Sequence, residues 1–155
     1  MRRFGMFEYS CLLWAINVIL NVLSYFVIGM KYTAPFLLLA AFASCFVMLI
    51  TARKEQVDMT TVWRKSARWA DIIALVSFAY VAVNFVVCMF LLREGGPHID
   101  NGVYCLWNHG FIREITKEEY DALMLVEGRF FTGHILVFSA LPVVFFSARK
   151  NGASK

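Results

Sequence analysis

Apolar residues gather in four long runs, at residues 9–30, 33–52, 72–92 and 130–148, with polar segments between them. Each run holds about 20 residues, the number an α-helix needs to cross roughly 30 Å of hydrocarbon. The pattern predicts an all-α membrane protein, a bundle of four transmembrane helices forming a single integral membrane domain. Residues 53–71 make a polar loop, read as cytoplasmic. Residues 93–129 make a longer polar segment, read as a small extracytoplasmic cap of β-hairpin and short helix between helices three and four.

Punctuation residues refine these elements. Lys31-Tyr32-Thr33 is a tight connection, and Pro35 suits the first turn of the second helix, where a missing N–H costs nothing. Ala40, Ala41, Ala43 and Ser44 supply small side chains for close helix approach. Gly128 and Gly133 offer bends ahead of the fourth helix. Pro142 should kink that helix, its freed carbonyl being satisfied by a neighbour. The polar tail from Arg149 onward is expected to fray.

Within the cap, Gly95-Gly96-Pro97 ends the third helix and turns the chain. Residues 98–100 and 103–107 read as strands joined by Asn101-Gly102, the preferred type I′ pair. Asn108-His109-Gly110 makes a second turn, with the glycine at positive φ, and the chain returns at 111–115 as a further strand. Alternation puts Val103, Cys105 and Trp107 on one face and Tyr104 and Leu106 on the other. Thr116 to Glu119 matches a capping box, with Ile115 and Tyr120 as its hydrophobic staple. The short helix that follows shows Tyr120, Leu123, Met124 and Glu127 at helical spacing.

Composition agrees: 60% of the 155 residues are hydrophobic and 17% charged, against about 25% charged in soluble domains. Mean hydropathy is +0.63. The net charge of +4 does not point to nucleic acid, because the basic residues sit in short segments beside the apolar runs rather than on one surface. Ten basic residues fall on one side (Arg2, Arg3, Arg53, Lys54, Arg64, Lys65, Arg68, Arg149, Lys150, Lys155) and five on the other (Lys31, Arg93, Arg113, Lys117, Arg129). The positive-inside rule therefore places both termini in the cytoplasm, with the protein multi-pass in the plasma (inner) membrane. The cap, with four basic and seven acidic residues, carries a net charge of −3 and faces outward. Arg2 and Arg3 resemble the n-region of a signal peptide, but the run behind them exceeds a signal h-region and no A-x-A-like site follows, so the first helix is expected to be retained. Trp63 and Trp69 flank the basic cluster of the 53–70 segment, which suits an amphipathic helix on anionic headgroups.

Candidate chemistry is sparse. Asn17, Asn21 and Ser24 form one stripe of the first helix, and Asn84 and Cys88, after Ser77 and Tyr80, a similar line on the third. They read as interhelical hydrogen bonding, or as a polar path along Asn17, Asn21 and Asn84. The cysteines (11, 45, 88 and 105) show neither C-x-x-C nor zinc-ribbon spacing. No cofactor or metal site is expected; His98, Cys105, His109 and His134 are the residues that would supply a zinc or copper site if there were one. No nucleophile–base pair, glycine-rich phosphate loop or H-E-x-x-H pattern occurs, so no enzyme is expected.

In topology alone the chain resembles the disulfide-bond oxidase that reloads a periplasmic thiol oxidase, and in helix count it is similar to small multidrug exporters. The first family implies two pairs of outer cysteines, where this cap has Cys105. The second implies a glutamate within the first helix, where this chain has Asn17 and Asn21. The functional expectation is therefore a non-enzymatic interaction protein, an accessory subunit or immunity-type protector. It would bind a protein partner through Tyr104, Trp107, Phe111 and Tyr120. The alternative is a small homo-oligomeric channel or transporter. The lipid bilayer is a partner in either case.

Overall fold

The computed structural model of the protein describes residues 5–152; Arg2, Arg3 and Lys155 of the basic count lie outside them. Helix α1 runs Met6–Leu23. A 3-10 turn, Met30–Tyr32, leads into α2, Ala34–Lys54. A short α3, Met59–Lys65, precedes α4, Arg68–Leu91. Strands β1 (Gly96–Asp100), β2 (Val103–Trp107) and β3 (Phe111–Glu114) then form an antiparallel sheet in that order. The chain closes with α5, Lys117–Gly152. Four helices are thus long and apolar enough to cross a membrane, and a small three-stranded sheet sits between the last two of them.

The expected cap helix and fourth membrane helix are one element. Helix α5 runs 36 residues without a break at Gly128 or Gly133. Those glycines serve close approach instead: a Cβ at Gly133 would lie 2.6 Å from Asn84 Nδ2, and one at Gly128 would rest 3.5–3.6 Å from Met30 and Ser24. Helix α5 is also the axis of the molecule. Helices α1, α2 and α4 each pack along it far more than on one another. As a result 67% of its apolar window is buried, against 22–28% for the other three.

Pro142 is accommodated inside α5. The carbonyl four residues earlier, on Phe138, loses its helical donor and accepts instead from Cys45 Sγ of α2 at 3.0 Å. The residues expected to fray remain helical to Gly152. Arg149 forks onto Glu55 at 3.0 and 2.5 Å and Lys150 reaches Glu8 at 2.8 Å, tying the end of α5 to α2 and α1. Short α3 folds across the same end, its Val62 only 3% exposed in a core with Met48, Ala70, Phe145 and Ala148.

The first apolar run is helical only as far as Leu23, seven residues short of expectation. Its last carbonyls are taken by tighter bonds, Tyr25 N–H to Val22 and Phe26 N–H to Leu23. Ser24 Oγ donates to the Asn21 carbonyl at 2.6 Å, which occupies another helix-end acceptor. Gly29, at φ +89°, turns the chain into the 3-10 segment.

Candidate functional site

The cap begins from local chemistry. Asn101 and Gly102 both take positive φ, 48° and 85°, the type I′ geometry whose twist matches the flanking strands. In the second turn the positive φ falls on His109, at 56°, and not on Gly110 as the sequence suggested. There Trp107 pairs with Phe111 across an irregularity that begins after Leu106, so the extra residue of a bulge shifts the left-handed position one place earlier. Thr116 Oγ1 accepts the Glu119 N–H at 3.1 Å and caps α5. The return half of the expected capping box is replaced: the Glu119 carboxylate takes the Arg113 guanidinium at 2.6 and 3.2 Å.

Two ties hold the sheet to the helices, and a third joins α5 to the 3-10 turn beside β1. Arg113 bridges Glu119 and Glu94, and hydrogen bonding from Arg113 holds the Glu119 carboxyl below the ordinary carboxylate value. Tyr104 of β2 stacks on Tyr120 of α5 with ring centroids 4.9 Å apart. Lys31, in the 3-10 turn, pairs with Glu127 of α5 at 2.5 Å, both side chains less than one-fifth exposed. Strand β1 crosses this pair through Gly96, where a Cβ would come within 2.8 Å of Glu127 Oε1. Leu106 and Met124 fill the space beneath, 2% and 3% exposed.

These ties divide the four aromatic residues singled out from the sequence. Tyr104 and Tyr120 are half-buried against each other and belong to the frame. Trp107 and Phe111 are exposed, at 44% and 54%. Val103, on the same face of β2 as Trp107, is exposed too, as are Ile99, which pairs with Tyr104, and Ile112; the two isoleucines were not singled out from the sequence because aliphatic strand residues read as a sheet's own core. Asp100, Glu114 and Glu118 are exposed as well, and none of the ion pairs among the described residues engages them. Strand β3 is a sheet edge with all four residues exposed.

Between the helices lies a buried polar seam. Asn17, Asn21 and Asn84 are 1%, 4% and 7% exposed, so all three face the interior as expected. Asn21 Nδ2 donates to Thr132 Oγ1 of α5 at 3.0 Å, and that hydroxyl lies 3.3 Å from Ser24 Oγ and donates to the Gly128 carbonyl at 2.7 Å. Asn84 Nδ2 donates to the Arg129 carbonyl at 3.0 Å, while its Oδ1 receives Cys88 Sγ at 3.5 Å. Trp14 Nε1 joins Ser77 Oγ at 3.2 Å, and the Tyr25 and Tyr80 hydroxyls meet at 3.1 Å. Thr132 links the seam to α5; its four-residue spacing from Gly128, a small-residue pattern, was the signal for it. Asn17 differs from its neighbours, because neither atom of its amide has a hydrogen-bond partner among the described residues.

The histidines do not assemble. His98 packs on Trp107 at 5.4 Å and its carbonyl receives Cys105 Sγ at 3.6 Å. His109 forms the turn. His134 lies in α5, its Nδ1 2.6 Å from the Phe130 carbonyl and its ring against Phe85 and Phe130. Among the described residues no three His, Cys, Asp or Glu side chains converge to hold a metal.

No protein-family model, curated protein or solved structure matches the chain.

Proposed function

We propose that this is a non-enzymatic interaction protein that binds a protein partner through its cap, as an accessory subunit or an immunity-type protector. The observation that carries this reading is the exposure of Val103, Trp107, Phe111 and Ile112 on the cap together with exposed Asp100, Glu114 and Glu118, which enter none of the ion pairs among the described residues. It stands on a sheet tied to α5 by Arg113–Glu119 and by the Tyr104–Tyr120 ring contact. Aromatic anchors accompanied by acidic side chains are what a partner with an apolar patch and basic residues would recognise. A platform held in place also lowers the ordering cost of binding. In this reading the four helices cross the plasma (inner) membrane with both termini in the cytoplasm and the cap outside, in accord with the positive-inside count.

Photo-crosslinking in native membranes tests it, with the probe at Trp107 or Phe111 and a control probe at half-buried Tyr104. A discrete heterologous adduct from the first two positions, weak or missing from the third, supports a docking face. Adducts only with lipid or with a second copy would overturn it.

One observation favours a second reading, a small homo-oligomeric channel or transporter. The unpartnered amide of Asn17 is a place where a polar solute would gain hydrogen bonds. Against it, Asn21 and Asn84 are already committed to α5. Transport that survives replacement of the three asparagines by leucine would remove the polar path.

A further inference from the structure

At the end of the molecule opposite the cap, a cavity of about 380 Å³ opens between α4 and α5 below α3. Its wall is apolar along most of its length, with Ile72, Leu75 and Phe78 from α4 facing Val137 and Leu141 from α5. Its polar residues lie at one end: Trp63, Arg68 and Asp71. From Arg68 to Phe78 the helix rises about 15 Å, which is about one leaflet of a 30 Å hydrocarbon core. A groove with one charged end and one leaflet of apolar wall has the shape of an amphiphile.

The charges select which amphiphile. Asp71 accepts from Ser66 Oγ and keeps its negative charge, whereas Arg68 is exposed and enters none of the ion pairs among the described residues. Arg64 and Lys65, both exposed, stand just before it in α3. Of the other acids in that loop, Glu55 is held by Arg149 and Asp58 accepts from Thr60 Oγ1. Trp63 and Trp69 are exposed on either side, at 47% and 46%, and indole rings settle at the headgroup level.

We propose that this groove is a binding site for one anionic phospholipid, with its phosphate on Arg68 and an acyl chain along Ile72, Leu75 and Phe78. Guanidinium matches phosphate by paired, charge-assisted hydrogen bonds, and basic pockets between membrane helices are a recurrent way to hold acidic headgroups. The site is separate from the cap, and its occupancy does not depend on the partner reading.

Native mass spectrometry of the full chain, released from a neutral detergent with added phosphatidylglycerol or phosphatidylcholine, tests the proposal. The wild type should retain a single phosphatidylglycerol with an apparent affinity about tenfold above that for phosphatidylcholine. Arg68→Gln, a change at an exposed residue, should erase the preference, while Arg64→Gln, outside the cavity wall, should leave it. Val137→Phe, which fills the groove, should reduce retention of both lipids, and a thermal melt checks that this variant is folded. Equal retention of the two lipids by the wild type would overturn the proposal. So would an equal effect of the two arginine substitutions, since that reports diffuse charge, or a dimer in place of the lipid adduct. Saturation by inorganic phosphate alone, with no requirement for the acyl chain, would also refute it.

Discussion

Gly133 provides the sharpest test of how the bundle is held together. Alanine normally stabilises a helix interior over glycine by about 1 kcal/mol. Here the added Cβ would sit 2.6 Å from Asn84 Nδ2, closer than real contacts allow, so the amide must move. Moving it breaks the 3.0 Å bond to the Arg129 carbonyl and disturbs the contact from Cys88. An interhelical hydrogen bond in an apolar surrounding contributes about 0.6–2 kcal/mol, and overpacking costs a further ~1–3 kcal/mol. The clash outweighs the propensity gain, and Gly133→Ala should destabilise the bundle by about 1–3 kcal/mol. The measurement is a double-mutant cycle with Asn84→Ala, read by reversible unfolding in mixed micelles. With the amide removed the same substitution should become neutral or stabilising, leaving a coupling of about 1–3 kcal/mol. If Gly133→Ala stabilises equally in both backgrounds, the glycine is not there for close approach to Asn84, and the account of α5 as a tightly seated axis fails at that point.

The other predictions concern the cap and its ties. Lys31→Met leaves Glu127 largely buried without its partner and should cost about 1–3 kcal/mol in bundle stability; Lys31→Met with Glu127→Leu should recover most of it, and a pair of equally damaged variants would refute the tie. Trp107→Ala and Phe111→Ala should abolish partner adducts while leaving the melting temperature nearly unchanged. Tyr120→Ala, which removes the ring partner of Tyr104, should instead loosen the cap by about 0.5–1.5 kcal/mol beyond lost area, visible as faster amide exchange in β2. Acid should weaken the cap. Because Arg113 holds the folded Glu119 pKa below 4.5, the pair contributes fully above that value and loses its contribution as pH falls through the depressed folded value. A single-tryptophan variant reporting through Trp107 should register this change, and Glu119→Gln should blunt it.

Much of this architecture is written in short stretches of chain. Helix length against bilayer thickness, Asn101-Gly102 in its turn and Thr116 at the helix start are local properties, and local chemistry decides them. The inward direction of Asn17, Asn21 and Asn84 follows from the cost of leaving an amide in an apolar surrounding. Local reading reached its limit where two signals competed. Gly128 and Gly133 look like hinges in sequence, yet in place they are contact points. Ser24 and Gly29 end a helix that hydropathy alone would carry to Met30.

Tertiary structure alone decided that α5 is the axis. All four runs are apolar throughout, so hydropathy does not distinguish a side chain facing a neighbour from one facing outward. Packing does distinguish them: small and weakly polar positions such as Gly128, Thr132, Gly133, Ser139 and Ala140 let three helices close around one. The division of the cap aromatics has the same origin. Tyr104 and Trp107 are near neighbours on one strand, and only the arrival of α5, which brings Tyr120, makes the first a strut and leaves the second free. Alternation along a strand assigns faces, but which face is covered depends on residues far away in the chain.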